Sequence, residues 1–352
     1  MNVLIIILPI LVAGIVRVLT DKFDIFKLPL DFGTNIWGRN KTWQGLIIIS
    51  FISFVVGLLF QTQLPFYYGF ILGLAYTFGE IVNSTIKRLF GVEPGKNFGK
   101  PWVFWQYIFD QIDSTLAISV VLFYWNFNFA EIFYCFVIGS FLHFFVDSIN
   151  HLYGSKKTSD KTAIIYFYQV VSYVIFTPLK FFSNSNTTTI KNTENIILTS
   201  NHPFFFDSLF VLRSLNLESF LNFAPFKFLI AEKYMQNWYG KVFELVGAVS
   251  TRENKSHSPR PLEVLLSNQV QGYNSLICYE GKITLDKLPT DKLKTGIWVL
   301  YKAEPKSLVH CARVNLGAKI GIDFKSPIGF SQEYAINSKH FLKEINDRIY
   351  SA

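Results

Sequence analysis

The chain has 352 residues, half of them hydrophobic, with 37 phenylalanines and a formal net charge of +8. A mean hydropathy of +0.29 excludes an ordinary soluble protein, while the many charged residues of the second half exclude a chain buried wholly in a membrane. The three cysteines are widely spaced, which excludes a disulfide framework and a zinc-ligand pattern and favours a reducing compartment.

The charge is distributed unevenly along the chain. Residues 1–150 hold nine Lys and Arg against nine Asp and Glu, whereas residues 151–352 hold 24 against 16. A basic domain beside a membrane favours anionic lipid headgroups and phosphorylated substrates. Since no aromatic-basic motif of the RNA- or DNA-binding kind is present, nucleic acid is not an expected partner.

Five apolar segments in the first half have the composition of membrane spans. They are residues 2–19, 44–60, 65–81, 114–127 and 130–146. The first segment lacks a basic leader and a small-residue cleavage site, so we expect it to be retained. The sequence therefore predicts an all-α polytopic membrane bundle of about five spans over residues 1–155.

The loops between these segments differ in charge. The connections at 61–64 and 126–129 hold no charged residue, whereas the loops that alternate with them are basic. Five spans place every basic loop on one side, which the positive-inside rule makes the cytoplasm. We therefore expect an integral membrane protein, of the inner membrane of a bacterium, with its amino terminus outside and its carboxyl-terminal domain in the cytoplasm.

The basic loops of the first half contain groups suited to a nucleoside triphosphate and a cation. Asp110 and Asp113 lie three residues apart, so one face of a helix start would present both carboxylates to a hard cation such as Mg²⁺. Such a cation bridges phosphates during an in-line displacement. Positive-inside loops beside two capping aspartates are the alternative explanation. The predicted nucleotide-binding residues are Lys41, Thr42, Ser84, Lys87 and Arg88.

The sequence motifs of these loops also occur in a specific order. LPLDFGTNIWGRNKTWQG at 28–45 and NSTIKRLFGVEPG at 83–95, followed by DQID at 110–113, resemble the CDP-archaeol synthase family. That family is related to the bacterial CDP-diacylglycerol synthases, whose S-x-x-K-R and paired-aspartate signatures look similar. The resemblance covers most of residues 1–155, and it implies transfer of CMP from CTP to a lipid phosphate with Mg²⁺ as the cofactor.

The other histidines are weaker candidates. His143, Asp147 and His151 follow one helical stripe, and we interpret them as polar contacts near a helix end in preference to metal ligands. His310 falls in a predicted buried strand, and His340 falls in a predicted surface helix. Neither has a partner that the sequence identifies.

A sixth apolar run occupies residues 163–182. Gln169, Ser172, Pro178 and Lys180 interrupt it, so we expect a helix that dips into the membrane or lies on it, without crossing it. With the polar loop that follows, it forms a predicted membrane-associated linker over residues 156–192.

The next segment carries the strongest candidate for catalysis. An apolar run at 196–198 predicts a short buried strand that ends near Asn201 and His202. Pro203 suits the first turn of a helix, and the spacing would bring His202 and Asp207 together across that turn. A carboxylate orients an imidazole and stabilises the imidazolium, so the pair predicts a general base for a hydroxyl. A helix cap beside an unrelated histidine is the alternative explanation.

This segment resembles the first motif of the glycerolipid acyltransferases, the family of lysophosphatidate acyltransferase. Residues 226–254 resemble the second motif, which ends in Arg252. Residues 275–296 resemble the third motif, with Glu280 and Gly281 near its start and Lys294 near its end. The resemblance implies an α/β acyltransferase-like domain over residues 193–352, in which Arg252, Glu280, Gly281 and Lys294 bind the substrate phosphate.

The same resemblance implies a reaction. Lysophosphatidate would be acylated from acyl-CoA or acyl carrier protein by direct attack of its hydroxyl, with no cofactor and no covalent acyl-enzyme. The two halves together predict a multi-domain enzyme of phospholipid synthesis, in which phosphatidate made by the second half is the lipid that CTP activates in the first.

Three alternatives remain for the whole chain. In one, only the acyltransferase is active and the helical half is an anchor. In another, the helical half makes a CDP-activated isoprenoid ether lipid, although such lipids need no acyl transfer. In the third, the protein is a membrane scaffold without enzymatic activity.

Overall fold

The computed structural model divides the chain into two compact units, Met1–Ala163 and Ile164–Ala352, which are described separately. The described residues are 3–20, 27–34, 36–38, 41–60, 64–94, 96–99, 102–152, 158–186, 189–190, 196–203, 206–251, 261–278, 295–304 and 306–350.

The first unit is a bundle of long helices, which agrees with the predicted all-α class. Its helices are α1 (Val3–Thr20), α2 (Trp43–Gly57), α3 (Tyr68–Leu89), α4 (Trp102–Tyr124) and α5 (Phe129–Leu152). A single 3-10 turn, Leu58–Phe60, extends α2. α3 and α4 are longer than the apolar segments that predicted them, because polar residues assigned to the loops continue both helices at one end.

Glycines allow α3 to approach its two neighbours closely. A Cβ atom on Gly73 would lie 2.6 Å from the Cα of Ser50 in α2. A Cβ atom on Gly79 would lie 2.5 Å from the carbonyl oxygen of Asp113 in α4. Small residues at such crossings are typical of helix bundles in membranes.

Two of the described helical segments, Trp43–Phe60 and Phe129–Leu152, are long and apolar enough to cross a membrane, judged by length and composition. Ile5–Thr20 and Thr162–Ile175 are shorter apolar helices. Many large apolar side chains of the bundle are exposed, among them Phe123 at 75% and Phe141 at 69%. The predicted number of five spans remains a prediction.

The second unit is built on a seven-stranded sheet with helices packed against it, which confirms the predicted α/β class. The strands are β1 (Ser183–Ser185), β2 (Ile196–Ser200), β3 (Phe226–Ile230), β4 (Ala248–Ser250), β5 (Asn274–Cys278), β6 (Leu308–Asn315) and β7 (Ile320–Phe324). Their order is β1-β7-β6-β2-β5-β3-β4. Only β6 and β7 pair in antiparallel fashion among these strands.

Helices precede β1, connect most of the parallel strands and end the chain. They are α6 (Thr158–Ile175), the 3-10 helix Thr177–Phe182, α7 (Asp207–Ser214), α8 (Leu217–Phe223), α9 (Glu232–Met235), α10 (Trp238–Leu245), α11 (Pro261–Val270), α12 (Gly296–Ala303), α13 (Gln332–Ile336) and α14 (Ser338–Tyr350).

The core of this unit surrounds β2, whose five residues are all buried. On one side Ile197 packs in a cluster with Tyr301 and Phe341, whose rings stack with centroids 4.3 Å apart. A strand buried on both faces reads as a continuous apolar run, which is the pattern seen at 196–198.

One face of α6 packs against the sheet, and its predicted association with the membrane stays a prediction. The side-chain amide of Gln169 donates to the carbonyl oxygens of Phe226 and Val246, at 2.8 Å each, and accepts from the Phe226 nitrogen at 3.1 Å. Ile164 and Ile165 are buried as well. The residue that seemed to interrupt an apolar helix therefore joins that helix to β3, and β1 adds to the sheet. Much of the predicted linker is thus part of the α/β unit.

Candidate active sites

The first candidate site lies where β2 leaves the sheet. Asn201 holds this turn through both amide atoms, since its Nδ2 donates to the Val314 oxygen at 2.9 Å and its Oδ1 accepts from the Val314 nitrogen at 2.6 Å. His202 follows directly. The carboxyl edge of parallel strands is where α/β folds place their active sites.

His202 and Asp207 form the contact that the sequence predicts, by a different route. The Nδ1 of His202 and the Oδ2 of Asp207 are 2.7 Å apart. However, α7 begins at Asp207 and its N-cap is Phe206, so His202 lies in the preceding loop and the pair does not cross a helical turn. Asp207 is fully buried, while 21% of the His202 side chain is exposed to solvent.

A third group, Cys278, completes this cluster. Cys278 ends β5 and is paired in register with Ser200, the last residue of β2. A ring nitrogen of His202, a carboxylate oxygen of Asp207 and the Cys278 sulfur all lie within 4.8 Å of one another. Sequence reasoning missed this residue, although it ends an apolar run inside the segment that resembles the third motif.

The cluster is electrostatically coupled. Burial of the ring alone would lower the pKa of His202, but hydrogen bonds to Asp207 and Cys278 and the negative charges of both groups raise it to about 10. Ser208 donates to the Oδ1 of Asp207 at 3.2 Å and lies 3.9 Å from the Cys278 sulfur. The 2.7 Å contact with Asp207 orients the ring, an arrangement suited to moving a proton between a hydroxyl and a ring nitrogen.

The residues predicted to bind the substrate phosphate, Arg252, Glu280, Gly281 and Lys294, lie outside the described residues. The strands that lead to them are described. β4 and β5 end at the same edge of the sheet as β2, because all three are linked through parallel pairing.

The second candidate site is a polar cavity of about 250 Å³ inside the helical unit. Its wall contains six of the seven residues predicted for the nucleotide and the cation: Lys41, Ser84, Lys87, Arg88, Asp110 and Asp113. Thr42 is not among the described residues that line the cavity. It caps α2 instead, where its Oγ1 accepts from the Gly45 nitrogen at 3.2 Å.

Asp110 and Asp113 converge inside this cavity. Asn83 donates through its Nδ2 to the Oδ1 of Asp110 and to the Oδ2 of Asp113, at 2.7 Å each. Lys87 forms an ion pair with Asp110. The two aspartates lie within α4, well after its start at Trp102, so they are not the helix-start residues that the sequence predicted. A hard cation such as Mg²⁺ prefers carboxylate oxygens, so it would have to take these two in place of the amide and the ammonium that now contact them.

Sequence reasoning missed a buried acid on the same wall. The Oε2 of Glu80 lies 2.6 Å from the Lys41 Nζ, and its Oε1 lies 3.4 Å from the Arg17 Nη1. A signal was present, because an ionisable residue inside an otherwise apolar segment marks a functional site in membrane helices. Lys41 is therefore held by Glu80 in the cavity wall.

The three residues of the predicted stripe on α5 differ in whether they line the cavity. The Nε2 of His143 lies 3.1 Å from the Tyr76 hydroxyl, and its Nδ1 lies 3.1 Å from the Gln111 carbonyl oxygen. Asp147 accepts from the Tyr107 hydroxyl at 3.0 Å. Both residues line the cavity, whereas His151 is not among its described lining residues. His143 and Asp147 make polar contacts, as expected, but both residues lie inside α5 and not near its end.

An apolar groove of about 330 Å³ adjoins the polar cavity. Side chains of α1 and α5 form much of its wall, for example Ile10 and Leu142. Glu80, His143 and Asp147 line both spaces, so the polar cavity and the apolar groove share part of their walls.

These features define a protein with a helical unit that contains a charged cavity and an α/β unit that presents a His-Asp-Cys cluster at the end of its central strands. No family model matches the chain, and no curated protein matches it. Among solved structures, the chain is similar to the 1-acyl-sn-glycerophosphate (LPA) acyltransferase PlsC from Thermotoga maritima, with 16% identity and a TM-score of 0.38. The match covers 59% of this chain and 91% of that one. A likeness at this level does not extend to activity.

Proposed function

We propose that the α/β unit is an acyltransferase that moves an acyl chain from a thioester donor, acyl-CoA or acyl carrier protein, to the free hydroxyl of lysophosphatidate. The observation that carries this proposal is the 2.7 Å contact between His202 and the buried Asp207 at the carboxyl edge of the sheet. Asp207 orients the ring and stabilises its protonated form. His202 takes the proton of the hydroxyl as that oxygen attacks the acyl carbonyl.

The acceptor in this proposal is a lipid phosphate. Its support is the excess of basic residues in the second half of the chain and the order of the motifs. Arg252 follows β4 and Lys294 follows β5, and both strands end at the same edge of the sheet as β2. A cationic surface favours a phosphorylated lipid at a membrane. The reaction needs no cofactor, because the donor already holds the acyl group as an activated thioester.

Replacing His202 by alanine tests the proposal. Acyl transfer from acyl-CoA to lysophosphatidate by the purified chain in detergent should fall by about two to four orders of magnitude. His340→Ala is the matched control, since His340 is a surface histidine paired with Glu333 at 2.9 Å. Undiminished transfer by the folded His202→Ala variant would refute the assignment.

We propose a second activity for the helical unit, the transfer of CMP from CTP to phosphatidate. It is supported by the cavity in which Lys41, Lys87 and Arg88 surround the two aspartates. Asp110 and Asp113 would hold Mg²⁺, which when bound supplies positive charge to the phosphates. The adjoining apolar groove suits the acyl chains of a lipid whose phosphate enters the polar chamber.

The assay for this activity supplies labelled CTP and Mg²⁺ with either phosphatidate or an isoprenoid ether phosphate. Formation of a CDP-lipid from phosphatidate is the expected result, and it should stop when a chelator removes the metal ion. Preference for the ether lipid would favour the alternative substrate. No turnover with either lipid would leave the helical unit as an anchor or scaffold.

We also propose that the protein is an integral protein of the inner membrane of a bacterium, with its amino terminus outside and the α/β unit in the cytoplasm. The support is the pair of helices long enough to cross a membrane and the alternation of basic and uncharged connections. This orientation gives the acyltransferase access to cytoplasmic thioesters.

A further inference from the structure

The α/β unit contains a buried cation that has no acidic partner among the described residues. Arg213 lies in the last turn of α7, and 7% of it is exposed to solvent. Its Nη2 donates to the Thr177 hydroxyl at 3.2 Å, but its Nε and Nη1 are buried and meet no hydrogen-bond acceptor in the described part of the chain. A buried charge is costly unless a charge of opposite sign balances it, so this guanidinium needs an anion nearby.

Two contacts stabilise Arg213 without balancing its charge. The guanidinium carbon lies 4.2 Å from the centroid of the Tyr173 ring, and the Phe220 ring stacks with Tyr173 at a centroid distance of 4.2 Å. The carboxyl end of α7 also presents the negative pole of its helix dipole. An aromatic face and a helix end carry partial charges, so the positive charge is not fully compensated.

A second cation lies beside the first at the surface. Lys180 is exposed, and partial burial and then the positive charge of Arg213 lower the pKa of Lys180. In a 3-10 helix the side chains at i and i+3 eclipse. Thr177 and Lys180 therefore share the face of the Thr177–Phe182 helix that contacts Arg213. Since no described acid perturbs Lys180, an anion that enters here would meet two cations.

The other faces of this helix are apolar and exposed. Phe181 is 76% exposed and Phe182 is 63% exposed. Val174 and Ile175, at the end of α6, are exposed as well. A surface helix of a soluble protein buries its apolar face and exposes its polar face, so this helix has the reverse arrangement. Exposed apolar side chains beside basic ones are typical of a segment that lies in the headgroup region of a membrane.

The sheet places this segment at the same edge as His202. β7 pairs antiparallel with β6 and β1 pairs parallel with β7, so β1 runs opposite to β2. Its first residue, Ser183, follows the Thr177–Phe182 helix directly and lies at the edge of the sheet where β2 ends. A membrane that contacted this helix would therefore lie at the edge that carries the catalytic pair.

We propose that Arg213 and Lys180 form a site for the phosphate of an anionic phospholipid, and that Phe181 and Phe182 enter the same bilayer. Lys180 contacts the phosphate at the surface, and Arg213 attracts it from behind, so its enclosed Nε and Nη1 need no direct contact. A free phosphate would satisfy the cations but leave the exposed apolar side chains in water, which favours a lipid as the occupant. The site does not depend on the acyl-transfer function proposed above.

The experiment places the full-length chain in lipid nanodiscs and measures hydrogen exchange of the backbone amides at 177–182. One set of nanodiscs contains phosphatidylcholine alone, and the other contains an equal mixture of phosphatidylcholine and phosphatidylglycerol. We expect slower exchange in the mixed bilayer, by about fivefold for each of the two cations. The difference should shrink as salt is added, because the attraction is between charges.

Lys180→Gln is the principal variant, since Lys180 is exposed and its loss should not disturb folding. It should remove about fivefold of the lipid-dependent protection. Lys339→Gln is the matched control, since Lys339 is an exposed lysine at the start of α14, and it should exchange as the parent does. Both variants lower the net charge by the same amount, so a general attraction of the basic chain to the bilayer affects them equally.

Two variants of Arg213 separate charge from packing. Arg213→Lys keeps the charge and should retain most of the lipid-dependent protection, whereas Arg213→Gln should lose about fivefold. If the guanidinium served only to pack on Tyr173, the two variants would behave alike. Exchange of the β2 amides, in the interior of the sheet, shows whether each variant is folded.

Three results would overturn the inference. One is equal exchange of the amides at 177–182 of the parent in the two bilayers. Another is a loss of protection in Lys180→Gln no larger than in Lys339→Gln, which would attribute the effect to the net charge of the chain. The third is the same protection from inorganic phosphate added to nanodiscs of phosphatidylcholine, which would make this a site for a free anion.

Discussion

At the scale of single residues, the two aspartates of α4 share one hydrogen-bond donor, the side-chain amide of Asn83. Asn83 donates to both of them at 2.7 Å, and Lys87 pairs with Asp110. A helix cap needs one acceptor at the first turn, whereas these two carboxylates lie inside the helix and face a cavity. Their position within the helix therefore argues against a capping role, and their role as ligands of a cation stays a proposal.

Asp113→Asn removes one anionic oxygen ligand while keeping the volume of the side chain. We expect CTP-dependent turnover to fall by orders of magnitude, with partial recovery at raised Mg²⁺, because a neutral amide binds a hard cation weakly. A Mg²⁺ titration of the CTP assay on the parent and on Asp110→Asn and Asp113→Asn measures this.

Acyl transfer by the same preparations is the control for folding, since His202 lies in the other unit. It should change little in either variant. Parent-like CTP turnover in both variants at every Mg²⁺ concentration would show that the two carboxylates are not ligands.

His310 is a residue whose burial has a consequence for stability. It lies in β6 and is 3% exposed, and neither ring nitrogen has a hydrogen-bond partner among the described residues. Burial lowers the pKa of His310 from 6.5 to about 4. Between those values the unfolded chain binds a proton that the folded chain does not, so stability is lost as the pH falls.

We expect the α/β unit to lose on the order of 3 kcal/mol of stability from this residue when the pH falls from about 6.5 to 4. His310→Phe should remove that dependence, because the ring then carries no titrating group. Hydrogen-exchange protection of the β6 amides, measured across this pH range, reports the change. His340→Phe should keep the slope of the parent, and a parent slope that persists in His310→Phe would contradict the assignment.

At the scale of elements, the crossing of α3 and α4 builds the polar cavity. Gly79 faces the backbone of Asp113, where a Cβ atom would lie 2.5 Å from the carbonyl oxygen. The same crossing sets Asn83 of α3 against the two aspartates of α4. The separation of these two helices therefore controls the geometry of the carboxylate pair.

Gly79→Ala should force α3 and α4 apart and cost about 1–3 kcal/mol of stability in the helical unit. CTP turnover should be lost, because Asn83 and Asp113 would no longer meet. Thermal unfolding in detergent and the CTP assay measure both effects. Gly99→Ala is the matched control, since its added Cβ would meet nothing within 4 Å, and equal losses in both variants would count against a specific crossing.

At the scale of the whole molecule, the proposed orientation makes a prediction about access from outside the cell. The connection before α4 contains the exposed Lys96, and α5 begins at the exposed Phe129. If α4 crosses the membrane, these positions lie on opposite sides of it. The positive-inside rule assigns Lys96 to the cytoplasm.

In a chain that lacks the three native cysteines, Phe129→Cys should react with an impermeant maleimide added to intact cells. Lys96→Cys should react only after the cells are opened. Labelling is measured by the shift in mass of the purified protein. Reaction of Lys96→Cys in intact cells would invert the orientation and remove the argument for cytoplasmic thioester donors.

The sequence by itself determined the secondary-structure elements and the contacts between residues that are close together along the chain. The apolar run at 196–198 predicted β2, and the spacing of His202 and Asp207 predicted their contact, because both depend on a few neighbouring residues. The apolar segments likewise predicted an all-α first unit, whereas the α/β class of the second unit was implied by the resemblance to glycerolipid acyltransferases.

Only the tertiary structure decided which distant residues share a site. Cys278 meets His202 because β2 and β5 pair in one register, and a shift of a single residue would turn the thiol to the other face of the sheet. Glu80 meets Arg17 and Lys41 because three helices pack together. Such contacts depend on packing between elements far apart in the chain, which the pattern within each element does not contain.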